Sequence, residues 1–294
     1  VAPRDGDHGW EVAHAGAWRV GERPLWDERG RTLVWTDCLR GEVVGLGEDG
    51  RLDVLYRAGA PGTVGAAALR ADGGLVVGGS DGIVLVDPGG RTEPLCAIPL
   101  PEGARFNDGA CDPAGRFVIG TTGGDRAGLG ALYSVTPDGR HRELLSGLDE
   151  SNGIGWSADG RRMFHIDTGQ PVVWQFDYDP RSGDLGGRRP FATCPDVPGF
   201  LDGLVLDRAD HVWVAVWGGA CVLRFDASGT LVERYPTPVT QPTCPGFGGS
   251  DLDVLYLTTG ADGVRPADEP WAGHVLRRKV TTPGVTAHRF GVRP

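Results

Sequence analysis

No stretch of this sequence is apolar for long enough to cross a membrane, and its first ten residues, Val1 to Trp10, lack the charged-then-apolar order of a signal peptide. Positive charge is also in short supply. Twenty-nine Lys and Arg face 39 Asp and Glu, a formal net charge of −10, which argues against nucleic acid or an anionic membrane as a main partner and suits a cation site. The six cysteines, at 38, 96, 111, 194, 221 and 244, form no CxxC pair and read as buried thiols of a reduced, cytoplasmic protein rather than a disulfide framework. The seven histidines make no HxH or HxxxH pair, and His165, within a strand, reads as packing. No nucleophile elbow, Walker loop or dinucleotide fingerprint occurs. No segment keeps a helical period.

What the sequence has in abundance is turn residues. Forty-nine glycines and 22 prolines are spread evenly, as many short strands joined by tight turns require. One phrase recurs: an anchor residue, two more, a turn residue, then an apolar strand. It runs as Asp27–Gly30 before RTLVWTD, Arg70–Gly73 before GLVVGG and Asp112–Gly115 before RFVIGTT. It returns as Ser157–Gly160 before RRMFHIDT, Asp207–Asp210 before HVWVAVW and, degenerate, Gly249–Leu252 before DVLYLTT. The anchors step by 43, 42, 45, 50 and 42 residues. A period in the forties with several strands per unit is the spacing of a propeller blade. The expected fold is therefore all-β: a six-bladed β-propeller forming a single domain over residues 1–294. The alternative of a β-sandwich or two small β-domains leaves six in-register copies unexplained. The strand-like segment 10–21 is expected to complete the last blade beside HVLRRKV and TAHRFG, leaving no exposed sheet edge.

Five residues before the anchors stand Glu22, Gly65, Asn107, Asn152, Asp202 and Cys244. Equivalent positions of innermost strands ring the central channel, so four oxygen-bearing side chains are expected to face one axis. Taken singly, Asn152-Gly153, Asp108-Gly109 and Asp202-Gly203 are ordinary turn pairs. Their shared register points instead to a site at one end of the channel. Two carboxylates and two amides suit a hard cation, Ca²⁺ first, with Mn²⁺ or Mg²⁺ as alternatives; Zn²⁺ more often recruits His or Cys. Arg105 lies two residues before Asn107, on the same strand face, Glu150 lies two before Asn152, and Asp108 adjoins Asn107. These three are candidates, with Asn107, for binding a substrate.

The phrases GERPLWD (21–27), RFNDGACDPAGRF (105–117), GALYSVTPDG (130–139) and SNGIGWSADGR (151–161) resemble the SMP-30/gluconolactonase family, also called regucalcin-like. DGLVLD (202–207), WVAVWGGACVLRFD (213–226) and PTCPGFGGSDLDVLYLTT (242–259) extend the likeness over nearly the whole chain from Gly21 onward. The resemblance implies a six-bladed propeller with one divalent metal held by Glu22, Asn152 and Asp202. It implies substrate contacts at Arg105 and Asn107, with Asp202 as general base for the hydrolysis of a sugar-acid lactone. The partner expected is a small lactone or ester, with no nucleic acid and no membrane, and the protein is expected to be a monomer or small homo-oligomer. Three departures mark the pocket as altered. Arg23 stands where glycine is usual and is expected to change substrate charge preference. Glu150 replaces an apolar residue, and GTTGGDRAG (120–128) offers only Asp125 as an acidic substrate contact. An esterase or phosphotriesterase on the same metal, a non-catalytic binding propeller and a repurposed biosynthetic enzyme are the competing readings, since fold does not fix function.

Overall fold

The computed structural model describes residues 8–194 and 196–292. Among these, 24 strands form six four-stranded antiparallel sheets. The innermost strands are Gly21–Asp27, Val64–Leu69, Arg105–Cys111, Ser151–Trp156, Phe200–Leu206 and Pro242–Gly248, one for each of blades 1 to 6. In every blade the chain then meanders outward, and the inner strand of blade 1 packs against that of blade 6. The six-bladed propeller read from the repeat is the fold. No helix among the described residues is long and apolar enough to cross a membrane.

The recurring phrase is the turn from the innermost strand to the second. Its anchor side chain caps that turn: Asp112 Oδ1 accepts from the Ala114 and Arg116 amides, and Asp207 Oδ1 from those of Ala209 and His211. Ser157 Oγ accepts from Arg162 N in the same way. These local bonds satisfy the turn's own donors, which is why the residue type repeats. Six apolar clusters hold the ring, one in each seam between neighbouring blades; Trp35 of blade 1 and Trp213 of blade 5 are fully buried in two of them.

Ring closure follows expectation in one part and departs from it in another. Glu11–His14 pairs antiparallel with Val275–Lys279 and becomes the outermost strand of blade 6, so the first and last strands of the ring share a sheet. Trp10, just before it, is buried and donates its indole N–H to Pro236 O at 3.0 Å. The segment TAHRFG does not join that blade, because Glu11–His14 already occupies its edge. Instead residues 283–291 cross the far end of the channel. Pro283 O accepts from Arg208 N, Phe290 N donates to Leu69 O, and Gly291 N donates to Gly115 O. The Arg289 guanidinium ties the tail to Asp27 and Glu28, both at 2.7 Å. All six cysteines are free thiols, five of them buried.

Candidate active site at the channel mouth

Each innermost strand breaks its pairing register at the same place. The bulges fall between Glu22 and Leu25, Val64 and Ala66, Phe106 and Gly109, Asn152 and Ile154, Leu201 and Leu204, and Pro242 and Pro245. A bulge re-aims the side chains around it, and six in register turn one residue per blade toward the axis. Glu22, Asn107, Asn152 and Asp202 consequently line one cavity of about 380 Å³ at one end of the channel, together with Arg105, Glu150 and Thr168. Val20, Leu39, Phe200 and Trp217 add an apolar wall.

The other two ring positions contribute no oxygen, for reasons of space and burial. A Cβ on Gly65 would stand 2.5 Å from Asn107 O, so blade 2 has no room for a side chain there. Cys244 is fully buried, and burial pushes its thiol well above the ordinary range, keeping it neutral.

Glu22 and Asp202 are the site's electrostatic problem. Both are buried, and Glu22 Oε2 and Asp202 Oδ1 have no hydrogen-bond partner. Burial raises the Glu22 carboxyl well above its usual range; the Asp108 charge adds to this and Arg23 opposes it. Burial does the same to Asp202, reinforced by the charges of Glu22, Glu150 and Asp108. Asn152 lies beside them. Its Nδ2 donates to Thr168 Oγ1 at 3.2 Å, while Thr168 Oγ1 donates to Leu201 O at 3.1 Å, which holds the amide in place. Its Oδ1 accepts from Gly153 N at 3.1 Å.

Asn107 is the hinge of the polar wall. Its Oδ1 accepts from Arg105 Nη1 at 2.7 Å, and its Nδ2 donates to Glu150 Oε1 at 3.2 Å and to Ser151 O at 3.1 Å. Arg105 bonds otherwise to Phe106 O at 3.1 Å and forms no ion pair among the described residues. A half-buried guanidinium satisfied only by neutral acceptors is ready for an anionic or strongly dipolar ligand.

Three residues singled out in the sequence, Asp108, Arg23 and Asp125, lie elsewhere. Asp108 points away from the mouth and pairs with Arg23 at 2.8 Å, both side chains being almost completely buried. Arg23 likewise faces the channel interior and does not line the mouth. The cause is the bulge after Glu22, where Arg23 takes φ 49° and its side chain turns away from that of its neighbour. Asp125 sits exposed on a surface turn and does not line the cavity. Sequence reasoning missed Thr168, Phe200 and Trp217. A Thr at a strand end and apolar residues beside a turn look like ordinary packing, but Phe200 and Trp217 face each other across neighbouring strands and Phe200 is 57% exposed.

Among the described residues no group of three or more His, Cys, Asp and Glu is arranged to hold a metal. The mouth offers a different donor set, two carboxylates with an amide. Counting the interior pair, five carboxylates (Glu22, Asp108, Glu150, Asp202 and Asp262) meet three guanidiniums (Arg23, Arg105 and the Arg19 bound to Asp262), leaving two negative charges. Two orphaned carboxylate oxygens at the mouth, besides Asp108 Oδ2 in the interior, and a deficit of two charges fit one divalent, oxygen-preferring cation.

Comparison with known proteins places the chain among lactonase-like relatives. A pentonolactonase from Haloferax volcanii is 34% identical over 285 residues, covering 94% of this chain and 96% of its own. A 6-deoxy-6-sulfogluconolactonase from Pseudomonas putida is 35% identical, covering 92% and 94%. The crystal structure of a calcium-binding protein, regucalcin, from Agrobacterium tumefaciens superposes with a TM-score of 0.89 at 28% identity, over 96% of this chain and 98% of that one. Residues 20–261 match the family described as the SMP-30/Gluconolactonase/LRE-like region, and the chain belongs to that family.

Proposed function

We propose that this protein is a divalent-metal-dependent lactonase that opens a sugar-acid lactone. The observation that carries the reading is the meeting of Glu22 Oε2 and Asp202 Oδ1, buried and unpartnered, in a cavity that also presents Arg105 and Asn107. Relatives named pentonolactonase and 6-deoxy-6-sulfogluconolactonase support lactone hydrolysis as the reaction class, and a neighbour named as a calcium-binding protein supports Ca²⁺ as the cation.

Glu22, Asn152 and Asp202 would hold the ion, since all three line one cavity and Glu22 Oε2 and Asp202 Oδ1 lack any hydrogen-bond partner. When bound, a divalent cation supplies Lewis acidity, polarising a carbonyl and acidifying a water. Asp202 takes the proton from the attacking water and returns it to the ring oxygen as the acyl C–O bond breaks, giving the open hydroxy acid; holding a cation would lower its basicity, and its burial near Glu22 raises it, so the two influences oppose. Arg105 binds a carboxylate, sulfonate or hydroxyl of the substrate and leaves its ester carbonyl facing Asp202. Glu150 keeps the Asn107 amide turned so that its oxygen stays on Arg105. Phe200 and Trp217 give the flat face of a lactone ring an apolar surface beside Asp202.

That same apolar wall favours a second reading, an esterase or phosphotriesterase for apolar substrates. A panel separates them: D-glucono-1,5-lactone and pentonolactones against γ-butyrolactone, p-nitrophenyl acetate and paraoxon, with wild type and Asp202→Asn. Sugar lactones cleaved at least tenfold better than the others, with loss in Asp202→Asn, supports the lactonase reading. Preference for the apolar esters overturns it.

A further inference from the structure

Below the mouth, one side chain spans the channel. The Arg23 guanidinium reaches across the axis from blade 1: Nε donates to Gly109 O at 2.8 Å, Nη2 to Ile154 O at 3.0 Å and Nη1 to Leu204 O at 3.4 Å. Those carbonyls belong to blades 3, 4 and 5. Arg23 Nε also lies 2.8 Å from Asp108 Oδ1, and the residue is 5% exposed. On its far side is a second cavity of about 100 Å³, lined by Trp26, Trp156 and Phe247 and covered by residues 285–288 of the tail. Arg23 is thus the partition between that cavity and the mouth.

Stability alone gives no reason for this arrangement. The left-handed φ of Arg23 strains any residue but glycine, and a buried ion pair is commonly no better for stability than apolar residues of the same size. Charge gives a reason. Arginine stays protonated in proteins, so Arg23 is a fixed positive charge in a dry place next to Glu22. Left alone, it would repel a cation at the mouth. Asp108 cancels it, and both groups are close enough to act on the Glu22 carboxyl, with opposite signs.

We propose that Arg23 and Asp108 form a buried counter-charge pair that seals the channel and sets how strongly Glu22, Asn152 and Asp202 hold a divalent cation. Both act as positioning residues, through the ligands rather than on the substrate. The inference rests on the metal reading above and concerns residues outside the ligand set.

The test is charge rescue, read as Ca²⁺ and Mn²⁺ affinity by titration calorimetry on the full chain, with metal-free melting curves confirming that each variant folds. Asp108→Asn leaves Arg23 unopposed and weakens binding by about tenfold or more. Adding Arg23→Met removes the offending charge and brings the double variant back to within about threefold of wild type, an outcome that a purely structural role does not produce. Arg23→Met alone holds or tightens affinity, because only positive charge is lost. Arg23→Lys, which keeps the charge but not the three carbonyl bonds, stays within about threefold and covers the case in which Asp108→Asn does not fold. The proposal is overturned if wild type binds a cation but Asp108→Asn is unchanged, or if the double variant is as weak as the single. Weakened binding in either Arg23 single variant also counts against it. A wild-type chain that binds neither cation overturns the metal reading, and this one with it.

Discussion

Glu22 Oε2 of blade 1 and Asp202 Oδ1 of blade 5 are buried at the same channel mouth, and neither has a hydrogen-bond donor. Each raises the cost of ionising the other. A cation between them would remove that cost, and binding only to the folded state would stabilise it by mass action. Chelator-treated protein should therefore melt higher on addition of Ca²⁺ or Mn²⁺. Glu22→Gln should raise the metal-free melting temperature by roughly 2–3 °C, as relief of about 1–2 kcal/mol would in a chain this size, and abolish the cation-induced rise. Differential scanning calorimetry checks both signs at once.

The division of labour at the mouth separates Arg105 from Asp202. Arg105 is bonded to Asn107 and to backbone, not to the carboxylates. Arg105→Ala should leave cation affinity within about threefold of wild type and lower kcat/KM for acidic or polyhydroxy lactones about tenfold or more, mostly through KM. Asp202→Ala should lose turnover and cation affinity together. Calorimetry and steady-state kinetics on both variants make the comparison. An Arg105→Ala protein that no longer binds the cation contradicts the assignment.

Much of this was legible in the sequence because the signals are local. Turn anchors such as Asp112 and Asp207 repeat since each must cap its own turn, and the ring positions follow by counting back from them. Arg105 and Asn107 were placed together by strand alternation, and they touch. Alternation fails where the backbone leaves the regular strand. Arg23 follows Glu22 at the bulge in a left-handed conformation, so adjacency to a mouth residue does not show that its side chain turns inward to carbonyls of three other blades. Asp108 was misplaced for the same reason, its partner lying 85 residues away on another blade. Phe200 and Trp217 were invisible because an apolar residue on a strand gives no sign of which end of the blade it sits on. TAHRFG has the pattern of an edge strand, but the N-terminal strand fills that edge of blade 6.

His165 supplies a test of the buried interior through acid. It lies fully buried in blade 4 with Nε2 2.8 Å from Ser151 Oγ, and burial lowers its pKa to about 3. Below pH 6.5 the unfolded chain takes up a proton that the folded one refuses. Stability present above pH 6.5 is therefore lost at about 1.4 kcal/mol per pH unit on the way down. Melting temperatures from pH 7 to 4 should fall more steeply in wild type than in His165→Gln. Parallel curves would contradict a buried neutral imidazole.

Closure of the ring has its own readout. Trp10 anchors the strand that completes blade 6, through burial and its bond to Pro236 O. Trp10→Ala should cost about 3–5 kcal/mol of stability, as truncation of a buried aromatic does, while KM for any substrate at the distant mouth is unchanged. Urea unfolding monitored by far-UV circular dichroism, paired with kinetics, tests it. An unaltered midpoint would show that the strand does not close the ring.

The central claim is that Glu22, Asn152 and Asp202 hold a cation on which lactone hydrolysis depends. The most direct measurement is proton release from D-glucono-1,5-lactone and pentonolactones by chelator-treated protein, before and after reloading with Ca²⁺, Mn²⁺, Mg²⁺ or Zn²⁺. The account predicts a metal-free rate at the uncatalysed background and recovery of at least about a hundredfold with one or more of these ions, in wild type but not in Asp202→Ala. Hydrolysis that survives complete chelation, or the absence of lactone cleavage with every ion, would contradict it.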